Sequence, residues 1–376
     1  MTDKEPPANS AKPQSDAAPQ SSQDAGGFDE CASVAISANL IPANLLFVLD
    51  RSGSMNCVAP DGDEKEAALC KTDPRKRGDS PSKWEITRQA LVEALTHLGA
   101  RENVKLGFSL FPSTGTQCDV EATPEIELHG TGDAFLESTD SVLRAVVPDG
   151  ETPIAGSTIL GYAHLAEQLK QRQIFGNTYL VLLTDGNETC KPTELEKLVD
   201  NDVPLALSAF GIRTFVVGAP GSEGARALLS KIAFQGGTAT SDTCDHGDDS
   251  ETADCHFDMT RSLSFSTDLG KVLTDIAQSR ALSCEFQVPR DPAGGSVNLN
   301  QVNVTLTSVQ EEISLAIGKD PGAVGSCKGK VDGWTYSADF QKILLCGESC
   351  EAARASSDGR VEIILGCATR FQPQIF

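Results

Sequence analysis

Apolar residues follow two rhythms along this chain. Between residues 45 and 217, short continuous apolar runs alternate with longer stretches of helical periodicity. The runs at 45–49 and 178–183 are continuous and read, with 212–217, as strands covered on both faces, and 104–111 reads as the next strand, closed by Pro112. Between and after them, the spacing of Ile86, Ala90, Leu91, Ala94, Leu95 and Leu98 predicts an amphipathic helix over 84–98. Ser82 is its expected cap, with Glu85 completing a capping box. Further helices are expected at 134–147, 154–169, 193–200, 225–234 and 268–279. In the 154–169 helix the core candidates are Ile159, Leu160, Ala163, Leu165 and Ala166. Residues 31–40 alternate weakly, as a short edge strand does.

From Cys284 the helical rhythm stops. Short β-rich runs appear at 302–306, 313–317, 342–345 and 361–365, separated by Gly, Asp and Ser turns, with Trp334 and Tyr336 between them. The expected fold class is therefore α/β: a doubly wound, mainly parallel sheet flanked by helices over 31–283. A small β-rich, disulfide-stapled module follows over 284–376. Residues 1–30 are rich in Pro, Ser, Ala, Gln and Asp and nearly free of large apolar side chains, so they read as a disordered linker.

Charge and cysteine content narrow the setting. The 376 residues carry a formal net charge of -22, which argues against nucleic acid or an anionic membrane as partner. Twelve cysteines, with no C-x-x-C pair, point to disulfides rather than to zinc or thioredoxin-like chemistry. Cys57–Cys70 and Cys244–Cys255 are plausible local pairs, and Cys118 and Cys190 are placed to meet above the sheet. An extracellular, cell-surface or periplasmic location follows. Residues 1–30 hold no apolar signal segment, so the expectation is a signal already removed or a start assigned elsewhere. Such a segment also suits a membrane tether. No stretch is apolar and long enough to span a membrane.

Candidate chemistry sits where the first strand ends. Asp50, Ser52, Gly53 and Ser54 follow the run at 45–49, at the sheet edge where open α/β folds bind ligands. Hard oxygen donors on a tight turn suit a divalent cation. The D-x-S-x-S pattern resembles the metal-ion-dependent adhesion site of von Willebrand factor A (VWA) domains. Two further stretches extend the resemblance: Gly150-Glu151-Thr152-Pro153 before a helix, and Thr184-Asp185-Gly186 after the second apolar strand. What the resemblance implies is Mg²⁺, or Mn²⁺ or Ca²⁺, held by Asp50, Ser52, Ser54, Thr152 and Asp185. It also implies a protein partner that presents an acidic side chain to the ion, and a Thr152 loop that shifts with ligation. A Cys, then Gly333-Trp334-x-Tyr336, then Ile343-Leu344-Leu345-Cys346 and Gly366-Cys367 look, more loosely, like the tail of some exported bacterial VWA proteins.

Binding rather than catalysis is the expected role, because none of His97, His129, His164, His246 or His256 lies in these loops. Two rivals are a metal that only braces the loops and a metal-dependent hydrolase. Residues 56–81, with Cys57, Cys70 and many charges, are expected to rim the site. Arg77-Gly78-Asp79 within them matches the tripeptide that integrins recognise, a match short enough to arise by chance. Residues 243–257 read as a disulfide-closed acidic loop.

Overall fold

The computed structural model describes residues 34–38, 42–59, 69–70, 80–100, 104–241, 243–247, 254–276, 284–289, 297–308, 313–320, 325, 327, 332–355 and 360–371. The linker expected over 1–30 and the Arg77-Gly78-Asp79 tripeptide lie outside these residues. So does much of the 56–81 stretch.

Six strands form the larger sheet: β2 (Ala43–Asp50), β3 (Val104–Phe111), β4 (Ile126–Gly130), β5 (Asn177–Thr184), β6 (Ile212–Gly218) and β7 (Phe257–Asp258), in the order β4-β3-β2-β5-β6-β7. All pairs are parallel except β3 with β4. β2 is central, and its eight residues are all buried.

Its continuous apolar run has a direct cause. Leu45, Phe47 and Leu49 pack into one apolar layer with α1 (Lys83–Leu98), α2 (Asp133–Ala145) and α6 (Phe265–Thr274). Leu46 and Val48 point the other way, against α3 (Ile154–Lys170), α4 (Val203–Phe210) and α5 (Arg226–Gln235). With helices on both faces, a polar side chain in the strand needs a hydrogen-bond partner, as buried Asn44 finds in Phe175 O. The expected doubly wound, mainly parallel sheet is present.

The predicted helices appear with local changes. Ser82 and Glu85 form the capping box of α1. In α3 the buried face is Ile154, Ala155, Ser157, Thr158, Gly161, Tyr162, Leu165 and Ala166, whereas Ile159 and Leu160 are half-buried and Ala163 is exposed. Gly161 explains the offset: a Cβ there would meet Leu180 Cδ1 at 2.7 Å, so the helix sits on the sheet along its small residues. The helix expected at 193–200 runs on instead, through a widened turn at Leu198–Asp202 into α4, until Gly211 stops it in a left-handed conformation. Pro204 at the start of α4 has no N–H to donate backwards, and the widened turn accommodates that.

The C-terminal part is antiparallel. β1 (Val34–Ala38), β9 (Val302–Ser308), β10 (Ile313–Ile317) and β13 (Arg360–Leu365) form one sheet in the order β1-β13-β9-β10. β8 (Glu285–Gln287), β11 (Gly333–Tyr336) and β12 (Lys342–Cys346) form another in the order β11-β12-β8, and α7 (Gly347–Ala355) follows directly on β12. Two features depart from expectation. The edge strand grouped by sequence with residues up to 283 pairs with β13, not with the larger sheet. Trp334 and Tyr336 lie on β11 rather than between strands.

Five disulfides join described residues: Cys57–Cys70, Cys118–Cys190, Cys244–Cys255, Cys284–Cys350 and Cys327–Cys346. The first three are the pairs suggested by sequence. Among the described residues no helix is long and apolar enough to cross a membrane.

Candidate metal centre

β2 and β5 run side by side in the same direction, with Leu49 opposite Leu183, so their carboxyl ends deliver Asp50 and Asp185 to one place. After Asp50 the chain turns through Ser52 into a single helical turn, Gly53–Asn56. The Asp50 carboxylate accepts from Ser52 N at 2.7 Å and from the Thr184 hydroxyl at 2.6 Å. Ser52 Oγ and Ser54 Oγ lie 3.1 Å apart, and Ser54 Oγ donates to Asp185 Oδ1 at 2.7 Å. Four of the five predicted residues thus form one connected cluster.

Thr152 joins through its loop. Gly53 N donates to Gly150 O, and Asp149 N donates to Arg51 O. Gly150 is left-handed and also packs against the loop after β3, where a Cβ would lie 2.7 Å from Thr116 O. Thr152 is buried and exchanges bonds with Thr189: its N–H donates to Thr189 Oγ1 at 2.8 Å, and its carbonyl accepts from Thr189 N at 3.1 Å.

Three devices hold this loop, and two of them, Glu188 and Asn56, sequence reasoning missed. Buried Glu188 accepts from Ala155 N in the first turn of α3 and from the Cys190 and Lys191 N–H groups, each at 2.7 Å. A carboxylate suits that end of a helix. The Cys118–Cys190 bridge ties the same segment to the loop after β3. Asn56 Nδ2 donates to Pro148 O at 2.7 Å. The expectation that the Thr152 loop shifts with ligation meets a segment fastened from several sides.

Electrostatics mark the cluster as unusual. Asp50 is fully buried, and burial, with the neighbouring charge of Asp185, pushes its carboxyl up to about 7. The cation that meets this cluster comes from a side chain that no sequence pattern singles out. Lys83, at the start of α1, is wholly buried, and its Nζ lies 2.5 Å from Asp185 Oδ2. Lysine at the first turn of a surface helix is ordinarily solvated, so nothing local announces this contact.

The donors suit a small hard cation: two carboxylates and three hydroxyls, with no sulfur or imidazole. Among the described residues no group of three or more His, Cys, Asp or Glu converges on one point. The hydroxyls are therefore essential to any cation site here. His256, immediately before β7, is a core residue, bonded to Ser230 Oγ at 2.9 Å.

No family model and no curated protein sequence matches the chain. Solved structures similar to it include the pilus adhesin SpaC from Lactobacillus rhamnosus GG (14% identity over 90% of this chain and 41% of that one, TM-score 0.43). The PilB minor pilin from Streptococcus sanguinis is 16% identical over 65% of this chain and 62% of that one, with a TM-score of 0.40. A von Willebrand factor type A protein from Catenulispora acidiphila is 11% identical over 92% of this chain and 62% of that one, with a TM-score of 0.39. The chain spans less than two thirds of the length of each.

Proposed function

We propose that the chain is an exported binding module whose cation, held by Asp50, Ser52, Ser54, Thr152 and Asp185, receives an acidic side chain of a protein partner. One observation carries this reading. Two buried carboxylates and two serine hydroxyls converge at the carboxyl ends of adjacent parallel strands, where burial and the charge of Asp185 both push the Asp50 carboxyl upward. A divalent ion held by these residues would supply positive charge beside Asp50 and Asp185. Mg²⁺ or Mn²⁺ suits so few charged donors and keeps some of its own water, which leaves a position for an incoming carboxylate. The five disulfides between described residues favour an oxidising location.

A purely bracing ion is disfavoured, because Glu188, the Thr152–Thr189 exchange and Cys118–Cys190 already join the loops. Hydrolysis is disfavoured too: none of the five histidines lies in the loops that carry the cluster. The test is retention on immobilised peptides that carry Asp or Glu, against matched peptides with Asn or Gln. Retention on the acidic set in Mg²⁺, lost in chelator with the fold intact by circular dichroism, is expected. Retention unaffected by chelator, or equal on both sets, contradicts the reading.

A further inference from the structure

Lys83 is built into the cluster rather than left beside it. Its backbone N–H donates to Cys57 O at 2.8 Å, its ammonium donates to Pro220 O at 2.9 Å, and the same ammonium meets Asp185 Oδ2. The capping box of Ser82 and Glu85 fixes the first turn of α1, so the side chain is directed inward from a rigid base. Burying an ammonium is costly, and bracing three loops does not require one, since a neutral donor would serve.

Charge is what a neutral donor would not bring. Asp50 and Asp185 together cancel a divalent cation, and the ammonium is the surplus. We propose that Lys83 sets the ligand class of this site: it weakens the hold on the cation and leaves the loaded centre one positive charge in excess, so that the arriving group is a single carboxylate. The inference rests on the cation reading above and deepens it. With a neutral side chain at this position, the loaded centre would be electrically balanced and would have little preference for an anion over water. It would also hold the cation more tightly, because two like charges repel strongly inside a buried cluster. Commitment of Asp185 Oδ2 to Lys83 further leaves Oδ1 as the oxygen on the serine side.

The test measures free Mn²⁺ by electron paramagnetic resonance with the full chain and with Lys83→Gln and Lys83→Met. Each is titrated alone, with acetate, and with acetamide as the neutral control. In wild type, acetate tightens Mn²⁺ binding and acetamide does not. In either neutral variant, Mn²⁺ binds about tenfold more tightly than in wild type or better, and the acetate effect disappears. A residue that only braces loops would leave affinity unchanged or lower it. Neutral variants that bind Mn²⁺ no more tightly than wild type, or that keep the acetate effect, overturn the inference. Should neither variant fold, equal effects of acetate and acetamide on wild type overturn it. Wild type that binds no Mn²⁺ at all sinks the cation reading beneath it instead.

Discussion

The two parts of this molecule use disulfides for different purposes. In the larger one the core needs none: helices pack both faces of the sheet, and the apolar layers are built from aliphatic and aromatic side chains. Its bridges lie in the connecting loops, with Cys57–Cys70 and Cys118–Cys190 in segments that border the candidate centre. In the C-terminal part Cys284 and Cys350 are members of the apolar core itself, beside Phe286, Trp334 and Ile343. A small core depends on covalent closure, whereas a large one depends on it less and can assign its bridges to shaping loops. Position relative to the core, not number, separates a bridge that holds a fold from one that holds a site.

Core truncation gives the largest contrast. Phe47, stacked on Phe108 in the middle of the sheet, should cost about 3–5 kcal/mol when changed to Ala. Thermal unfolding should move the transition of the larger part and leave that of the C-terminal part in place. Next, the double substitution Cys284→Ala, Cys350→Ala should lower the stability of the C-terminal part by about 2–4 kcal/mol. Calorimetry that finds both parts equally affected would dissolve the distinction.

His256 supplies a pH probe confined to the larger part. Burial pushes its imidazole down to about 4 from the ordinary 6.5. The native state therefore refuses a proton that the unfolded chain accepts, so its contribution is complete above pH 6.5 and is lost as pH falls toward 4. The loss is about 2–3 kcal/mol, somewhat less than full burial would give. Urea unfolding at pH 7 and pH 4.5 should show a smaller pH dependence in His256→Gln than in wild type. The stability change from Cys118→Ala, Cys190→Ala should be of the same order as that from the C-terminal bridge, because the sequence separations, 72 and 66, are similar. Its distinguishing effect should fall on Mn²⁺ affinity, weakened several-fold as the Thr152 loop loosens. A fall in melting temperature with unchanged Mn²⁺ affinity would mean that the bridge serves the fold alone.

Strands covered on both faces are legible in the sequence because burial leaves few polar positions, and Asp50 and Asp185 are legible because each ends such a strand. Other features need tertiary information. Ile126–Gly130 is half exposed at the sheet edge and carries only a weak alternation, so no sequence pattern marks β4. Weak alternation marks 31–40 as an edge without saying of which sheet. Helix α7 hides among Gly, Ser and Cys in a β-rich region. Lys83 and Glu188 are charged residues in sequence surroundings that predict solvent, and they are buried because each meets a partner far along the chain: Asp185 for one, the first turn of α3 for the other.

Asp50→Asn tests the central claim most directly. Asn keeps the shape of the carboxylate and removes its charge. In the cation-free wild type the Asp50 carboxyl holds its proton to about pH 7 in the folded chain, against 3.8 as its ordinary value. Stability is therefore lost as pH rises between the two, and the variant escapes that loss. At pH 8 in chelator, Asp50→Asn should melt at or above wild type. On adding Mn²⁺ at about a hundred times its dissociation constant, wild type should gain about 2.7 kcal/mol and the variant nothing. A variant that melts with the same Mn²⁺-dependent shift as wild type would contradict the assignment of the centre.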